Sequence, residues 1–514
     1  MTDISHVPAG PAVAAGPAVA AGPAVAAGPA VAVAAAEPVR VHLLIDGKPA
    51  SGRGTFEVRD PGRARDVVAV VEDAGPEQVD AAVAAAGRAA AGWRDRPAEE
   101  RAAALTVAAD VAEAAADVLA PLLSRENGGT LTESRMDLLR GTALLRDFVA
   151  LAPGFLAPHT VETEQHWLSL EKAPVGVTAL IVPWNSPVVL TVSKLAPALL
   201  AGNTVVVKPS VLAPAALAGY LRRLAGLLPP GVLNVVHGDA EAGQALVAHP
   251  AVRKVSFTGS VRTGQQIMAA AAANLKRVSL ELGGNDAAIV LDDADLETAV
   301  PRLCQGAFTR AGQICFAVKR VYVAQSRFAE FYERLCAAAD GYRVGYGLDP
   351  QTSFGPLISA RDRDRVRGLA DRARLAGGEV RELGRPTDTV DWDAGHYLRP
   401  AVVRGLAPDA ELVTVEQFGP LLPLLPFRQP DEAVAYANDS EYGLASSVWG
   451  TDTDRAIAVA RRIEAGATFV NSHNLSSLSF DMPFGGVKQS GLGRERTALG
   501  LREYVEEHAI RLVK

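Results

Sequence analysis

The sequence predicts an α/β protein built on a doubly wound parallel sheet, and three observations carry that expectation. Five short β-branched runs, VTALIVP, NTVVVKP, GVLNVVHG, VRKVSFTG and KRVSLELGG, follow one another between residues 177 and 284. Several are separated by stretches of helical spacing such as LAPAALAGYLRRLAGLL, and strands that alternate with helices imply a parallel sheet covered on both faces. Polar and glycine-rich residues stand at the carboxyl ends of these runs, where open sheets of this kind bind their ligands, so a nucleotide site is expected there.

The elements follow in chain order. Residues 7–36 carry no charge and repeat GPAVAA, with a Gly-Pro break every six residues. Such breaks prevent a continuous helix, and no positive segment precedes them, so a flexible tail is expected rather than a membrane span or secretory signal. VHLLIDGK then reads as a strand and turn, followed by helical stretches from Pro76 to Gly92 and from Ala98 to Ser124. With 514 residues, 49% hydrophobic and 21% charged, the chain can bury a large core in two or three domains. A net charge of -7 without a basic run argues against nucleic acid or an anionic membrane as partner. Three widely spaced cysteines, Cys304, Cys315 and Cys336, make neither a disulfide framework nor a zinc site, and a reducing, cytoplasmic location is expected.

The commonest nucleotide and hydrolase motifs are missing. No GxGxxG follows a strand, GLGRER at 491–496 fails that pattern, and there is neither a P-loop nor a GxSxG elbow. The strand ends carry other segments instead: PWNSP (183–187), KPS (208–210), FTGSVRTG (257–264), LELGGND (280–286), AGQIC (311–315), EQFGP (416–420) and PFGGVKQSG (483–491). Together and in this order they resemble the aldehyde dehydrogenase superfamily, over roughly residues 37–514.

The resemblance implies a chemistry for each segment. Cys315 becomes the nucleophile that adds to an aldehyde carbonyl, since a thiolate attacks readily and later leaves from a thioester. The side-chain amide of Asn185 and the backbone N–H of Cys315 become the donors to the resulting oxyanion. Glu281 becomes the general base for the water that hydrolyses the thioester, so the product is an acid. Cys304 and Cys336 keep a structural role. For the NAD or NADP cofactor the resemblance implies Gly259, Ser260 and Gly264 near the pyrophosphate, Lys208 and Ser210 at the adenosine ribose, and Trp184 beside the dinucleotide. Glu416 is implied at the nicotinamide ribose and Phe418 at the nicotinamide ring.

Two positions depart from the family pattern. Val211 stands where many NAD-preferring relatives have a glutamate, which leaves NADP open. Arg310 stands where relatives often carry Asn. The aldehyde entrance is expected around Ile314, Phe316 and the stretch 472–482, where no arginine awaits a carboxylate, so a neutral aldehyde is the expected small-molecule substrate. The resemblance also implies a dinucleotide-binding domain (37–155 with 175–283), a second α/β, catalytic domain (284–489) and a small β oligomerisation element (156–174 with 490–514), giving a homodimer or homotetramer. The competing readings are an enzyme that passes the acyl group to coenzyme A, a non-catalytic structural relative, and a hydrolase built on a Cys-His pair.

Overall fold

Val205, Val206 and Val207 are fully buried because their strand, Thr204–Lys208, lies inside an eight-stranded sheet with a core on each face. Val205 and Val207 pack with helices Pro187–Leu200 and Ala215–Ala225. Val206, pointing the other way, packs with helices Pro76–Arg94, Ala240–Ala248 and Val261–Ala272. The period-2 alternation of a strand thus explains why an unbroken apolar run was needed. The computed structural model describes residues 37–514, and the repeat tail expected at 1–36 lies outside the described residues.

The five β-branched runs form the five parallel strands of this sheet, in the order Arg277–Glu281, Lys254–Thr258, Val177–Ile181, Thr204–Lys208, Leu233–Val235. Short antiparallel strands close both edges: Gly491–Leu492 beside Arg277–Glu281, and Leu43–Ile45 with Lys48–Ala50 at the other end. The helix expected from Ala98 to Ser124 is two helices, Ala98–Ala114 and Ala116–Asn127. The junction falls at Ala115, within an alanine run whose helix propensity carries the chain straight into the second helix.

A second, seven-stranded sheet carries the Cys315 segment. Its order is Glu379–Glu382, Ala401–Arg404, Leu421–Phe427, Val318–Ala324, Asp286–Val290, Ala445–Trp449, Ala467–Val470. All its pairings are parallel except that of the edge strand Glu379–Glu382. Cys304 and Cys336 are buried in the core of this sheet with Leu303, Phe331 and Leu335. A third, antiparallel sheet of His159–Glu162, His166–Pro174 and Val505–Val513 leaves Leu170, Ile510, Leu512 and Val513 exposed. Among the described residues no helix is long and apolar enough to cross a membrane, and no cluster of His, Cys, Asp and Glu could hold a metal ion.

Candidate functional site

Helix Leu296–Phe308 ends in a tight turn, Thr309–Gly312, that delivers Cys315 to the mouth of the seven-stranded sheet. Arg310 (φ 53°), Ala311 (φ 54°) and Gly312 (φ 73°) are all left-handed. At Gly312 a side chain has no room, because a Cβ would lie 2.5 Å from the carbonyl oxygen of Gly419. Cys315 itself is only partly buried and free. It stands in the wall between two cavities, one of about 540 Å³ and one of about 300 Å³, and lines both. Burial pushes its thiol up to about 12, with the Lys319 ammonium opposing and Asp286, Glu416 and Glu281 adding to the rise. Lys319 is fixed there by donating to the Ile314 carbonyl at 2.6 Å.

Asn185 lines both cavities beside Cys315. Its Nδ2 donates to the carbonyl of Gln313 at 2.9 Å, and an amide has a second N–H to offer a substrate oxygen. Arg310 closes the arrangement from behind, with one guanidinium nitrogen donating to the Asn185 carbonyl. His473, from the 472–482 stretch, is fully buried under the Cys315 loop. Its Nε2 donates to the Phe316 carbonyl at 2.9 Å and its Nδ1 meets Ser447 Oγ at 2.9 Å. The ring is therefore engaged with backbone and serine, which does not suit the Cys-His pair of a hydrolase.

The smaller cavity lies beyond the carboxyl ends of the eight-stranded sheet. Trp184 and Phe418 meet edge to face across it, ring centroids 5.8 Å apart. Glu416 Oε1 accepts from the Gly284 backbone N–H at 3.3 Å and lies 3.9 Å from Lys319 Nζ. Gly283 makes this possible, since a Cβ there would sit 2.2 Å from Glu416 Oε2. Gly259 and Ser260 line the cavity floor, where Ser260 Oγ caps helix Val261–Ala272 by accepting from Thr263 N–H. The N–H groups of the two glycines are both engaged within the chain. The Gly259 N–H bonds the Glu281 carbonyl and the Gly264 N–H bonds that of Ser260. Gly264 instead lets the helix approach the sheet, for a Cβ would lie 2.6 Å from Leu282.

Lys208 and Ser210 lie outside this cavity, at the end of strand Thr204–Lys208. Burial lowers the Lys208 ammonium to about 8, while Asp239 and Asp73 hold it up. Ser210 Oγ accepts from the Leu212 N–H at 3.3 Å. A dinucleotide fits this set: the cavity is shaped by glycines, bordered by the Trp184 and Phe418 rings and lined by the Glu416 carboxylate, and the Lys208 ammonium stands outside it at the end of its strand.

Glu281 ends strand Arg277–Glu281 but lines neither cavity. Its Oε2 is buried without a hydrogen-bond partner, and its carboxyl is pushed well above the usual range by burial and by Glu495, against Lys194 and Arg494. Lys194 and Glu495 form a buried ion pair next to it.

The larger cavity reveals residues that the sequence reading missed. Ile314 and Phe316 line it as expected, with Leu475, Leu478 and Phe480 from the 472–482 stretch. Arginines also line it, from outside that stretch: Arg140 on helix Leu131–Leu156, Arg310, and Arg496. Among the described residues Arg140 makes no hydrogen bond or ion pair, and burial followed by the Arg310 charge lowers its guanidinium. Four carboxylates, of Glu133, Asp137, Asp147 and Glu495, line the same cavity, so its wall is mixed in charge, and Arg140 is the lining arginine without a hydrogen bond or ion pair among the described residues.

The chain matches the model of the aldehyde dehydrogenase family over residues 48–510. It is 40% identical over 474 residues to a 2-hydroxymuconic semialdehyde dehydrogenase of Pseudomonas sp. (strain CF600), covering 89% of this chain and 95% of the relative. It is 37% identical over 465 residues to a 2-aminomuconic semialdehyde dehydrogenase of Bos taurus, covering 88% and 94%. The crystal structure of betaine aldehyde dehydrogenase from Staphylococcus aureus in complex with NAD+ superposes with a TM-score of 0.87 at 32% identity, over 91% of this chain and 94% of that one.

Proposed function

The chain belongs to the aldehyde dehydrogenase family and oxidises an aldehyde with NAD or NADP, and from that premise we propose that its substrate is a semialdehyde, an aldehyde with a carboxylate at its far end. The observation that carries this is Arg140, in the wall of the cavity that Cys315 borders, which makes no hydrogen bond or ion pair among the described residues and feels the Asp137 charge only at longer range. The names of two relatives, which are muconic semialdehyde dehydrogenases, support it.

In this reading the substrate carboxylate pairs with Arg140, and the aldehyde carbon reaches Cys315. Cys315 gives its thiol proton to water and adds to the carbonyl carbon as the thiolate; the C=O π pair becomes an oxyanion that accepts from Asn185 Nδ2 and the Cys315 N–H. The dinucleotide, held by Glu416, Phe418, Trp184, Ser260 and Lys208, supplies when bound a two-electron acceptor for the hydride that leaves that carbon. A thioester on Cys315 remains. Glu281 turns from its pocket toward the sulfur and takes a proton from water as the water attacks the thioester; the C–S bond breaks and the acid departs. A carboxyl whose affinity for protons is raised suits this task. Glu495 and Lys194, packed against Glu281, are placed to receive the proton next. The intact set of Cys315, Asn185 and Glu281 favours acid production over acyl transfer to coenzyme A or a purely structural role. The exposed apolar residues of the third sheet support a homodimer or homotetramer, and three free thiols support a cytoplasmic location.

The test compares semialdehydes with neutral aldehydes of equal length, following reduced-nicotinamide absorbance. Semialdehydes are expected to be favoured, and Arg140→Ala to raise their KM roughly 10- to 100-fold, the loss of one charge-assisted hydrogen bond, while leaving neutral aldehydes unchanged. Equal preference, or equal damage to both substrate classes, overturns the semialdehyde reading.

A further inference from the structure

We infer that Arg310 is a positioning residue for the oxyanion-stabilising amide of Asn185, a role that rests on the aldehyde-oxidising site proposed above. The backbone is the first indication. Arg310 adopts φ 53°, a region that Asn tolerates and a long side chain ordinarily avoids. The Asn common at this position in relatives would sit there with little strain. An arginine held there needs a compensating set of contacts, and the structure supplies one.

The contacts form a closed circuit through the site. One guanidinium nitrogen donates to the carbonyl of Asn185 itself, and the other donates to the Glu133 carbonyl at 2.9 Å. The Arg310 backbone N–H donates to Glu133 Oε1 at 2.7 Å. The guanidinium also lies 3.9 Å from Asp137 Oδ1, while Asp137 Oδ2 accepts from the Val188 N–H at 3.0 Å, in the first turn of helix Pro187–Leu200. Arg310 therefore grips the Asn185 turn directly at Asn185 and, through Asp137, at Val188. Asn185 Nδ2 returns the connection by donating to the Gln313 carbonyl at 2.9 Å. Gln313 donates back to the Arg310 carbonyl from its backbone N–H at 3.1 Å and from Nε2 at 3.0 Å.

A planar fork is suited to this task because its donors leave in fixed directions, so one group sets two carbonyls in relative position. The oxyanion donor on one loop and the nucleophile on another are thereby held in one rigid frame. Arg310 is itself 7% exposed, and its terminal nitrogens are engaged with main-chain oxygens; Arg496 likewise donates from Nη1 to the Leu478 and Ser479 carbonyls at 3.2 Å, which leaves Arg140 as the cation for a substrate.

The test separates oxyanion stabilisation from sulfur reactivity. Single-turnover hydride transfer, read as reduced-nicotinamide absorbance, is expected to slow by about 10- to 100-fold in Arg310→Ala, the cost of a misplacement of roughly 1 Å. Alkylation of Cys315 by iodoacetamide, which needs no oxyanion donor, is expected to keep its rate, and KM for the aldehyde to change little. In an Asn185→Ala background, Arg310→Ala is expected to cost nothing further, because the frame then has nothing to position. If the alanine variant is not recovered folded, Arg310→Lys, which keeps the charge without the fork, is expected to show the same slow hydride transfer at unchanged alkylation. Wild-type hydride transfer in either variant, equal slowing of alkylation, or a full additive loss on top of Asn185→Ala overturns the inference. A wild-type protein that oxidises no aldehyde would instead count against the proposed function.

Discussion

Gly283→Ala is expected to weaken dinucleotide binding by roughly 10- to 100-fold without unfolding the protein. The added methyl would lie 2.2 Å from Glu416 Oε2 and 3.1 Å from its Cδ, far inside contact distance. The obstacle is the end of a flexible side chain, so the carboxylate moves by roughly 1 Å instead of the sheet. In moving, it leaves the Gly284 N–H, now 3.3 Å away, and the hydroxyls it is proposed to bind. A hydrogen bond to a charged group is worth about 1.5–3 kcal/mol, which converts to the stated factor. Titration of Trp fluorescence with NAD in the absence of aldehyde measures it, since Trp184 lines the cavity. Glu416→Ala should give the same loss, and the double variant no more than either. Unchanged affinity in Gly283→Ala, or losses that multiply in the double variant, would refute the assignment of Glu416 to the dinucleotide.

Two further outcomes are expected. Gly243 faces Lys208, its Cβ position 3.6 Å from Lys208 Cε, and Asp239, one helical turn earlier, shares that face. Together with Asp73 it supplies the negative charge that Val211 lacks, so kcat/KM should favour NAD over NADP, and Asp239→Ser should narrow the ratio about tenfold. Preference for NADP in the wild type would contradict this. His237, by contrast, governs acid sensitivity: burial, then the charges of Lys208 and Arg222, lower its imidazole from 6.5 to about 3. The unfolded chain therefore binds a proton below pH 6.5 that the folded chain refuses, and the stability present above pH 6.5 is lost as pH falls toward 3. Urea midpoints measured across that window should fall less steeply in His237→Leu than in the wild type, and parallel slopes would contradict the assignment.

Short-range patterns made much of this molecule legible. The five apolar runs are strands because each must be buried on two faces, and a sequence displays that need directly. Cys315, Asn185 and Glu281, to which the proposed chemistry is assigned, each stand in a local motif. What stayed hidden depends on distant parts of the chain. Arg140 enters the cavity from a helix far from the Cys315 segment in sequence, and nothing around it marks it as different from a solvated surface arginine. Arg310 was visible only as a departure, because its partners Glu133 and Asp137 lie on that same helix. The donors of Gly259 and Gly264 look free in a glycine-rich motif, but that of Gly259 is occupied once the neighbouring strand is in place and that of Gly264 once its own helix turns back to Ser260.

The wall that holds Cys315 has a chamber on either side, and this separates two kinds of traffic. In the proposed reaction the dinucleotide would occupy one chamber and the tethered acyl group the other. Neither then stands in the other's space.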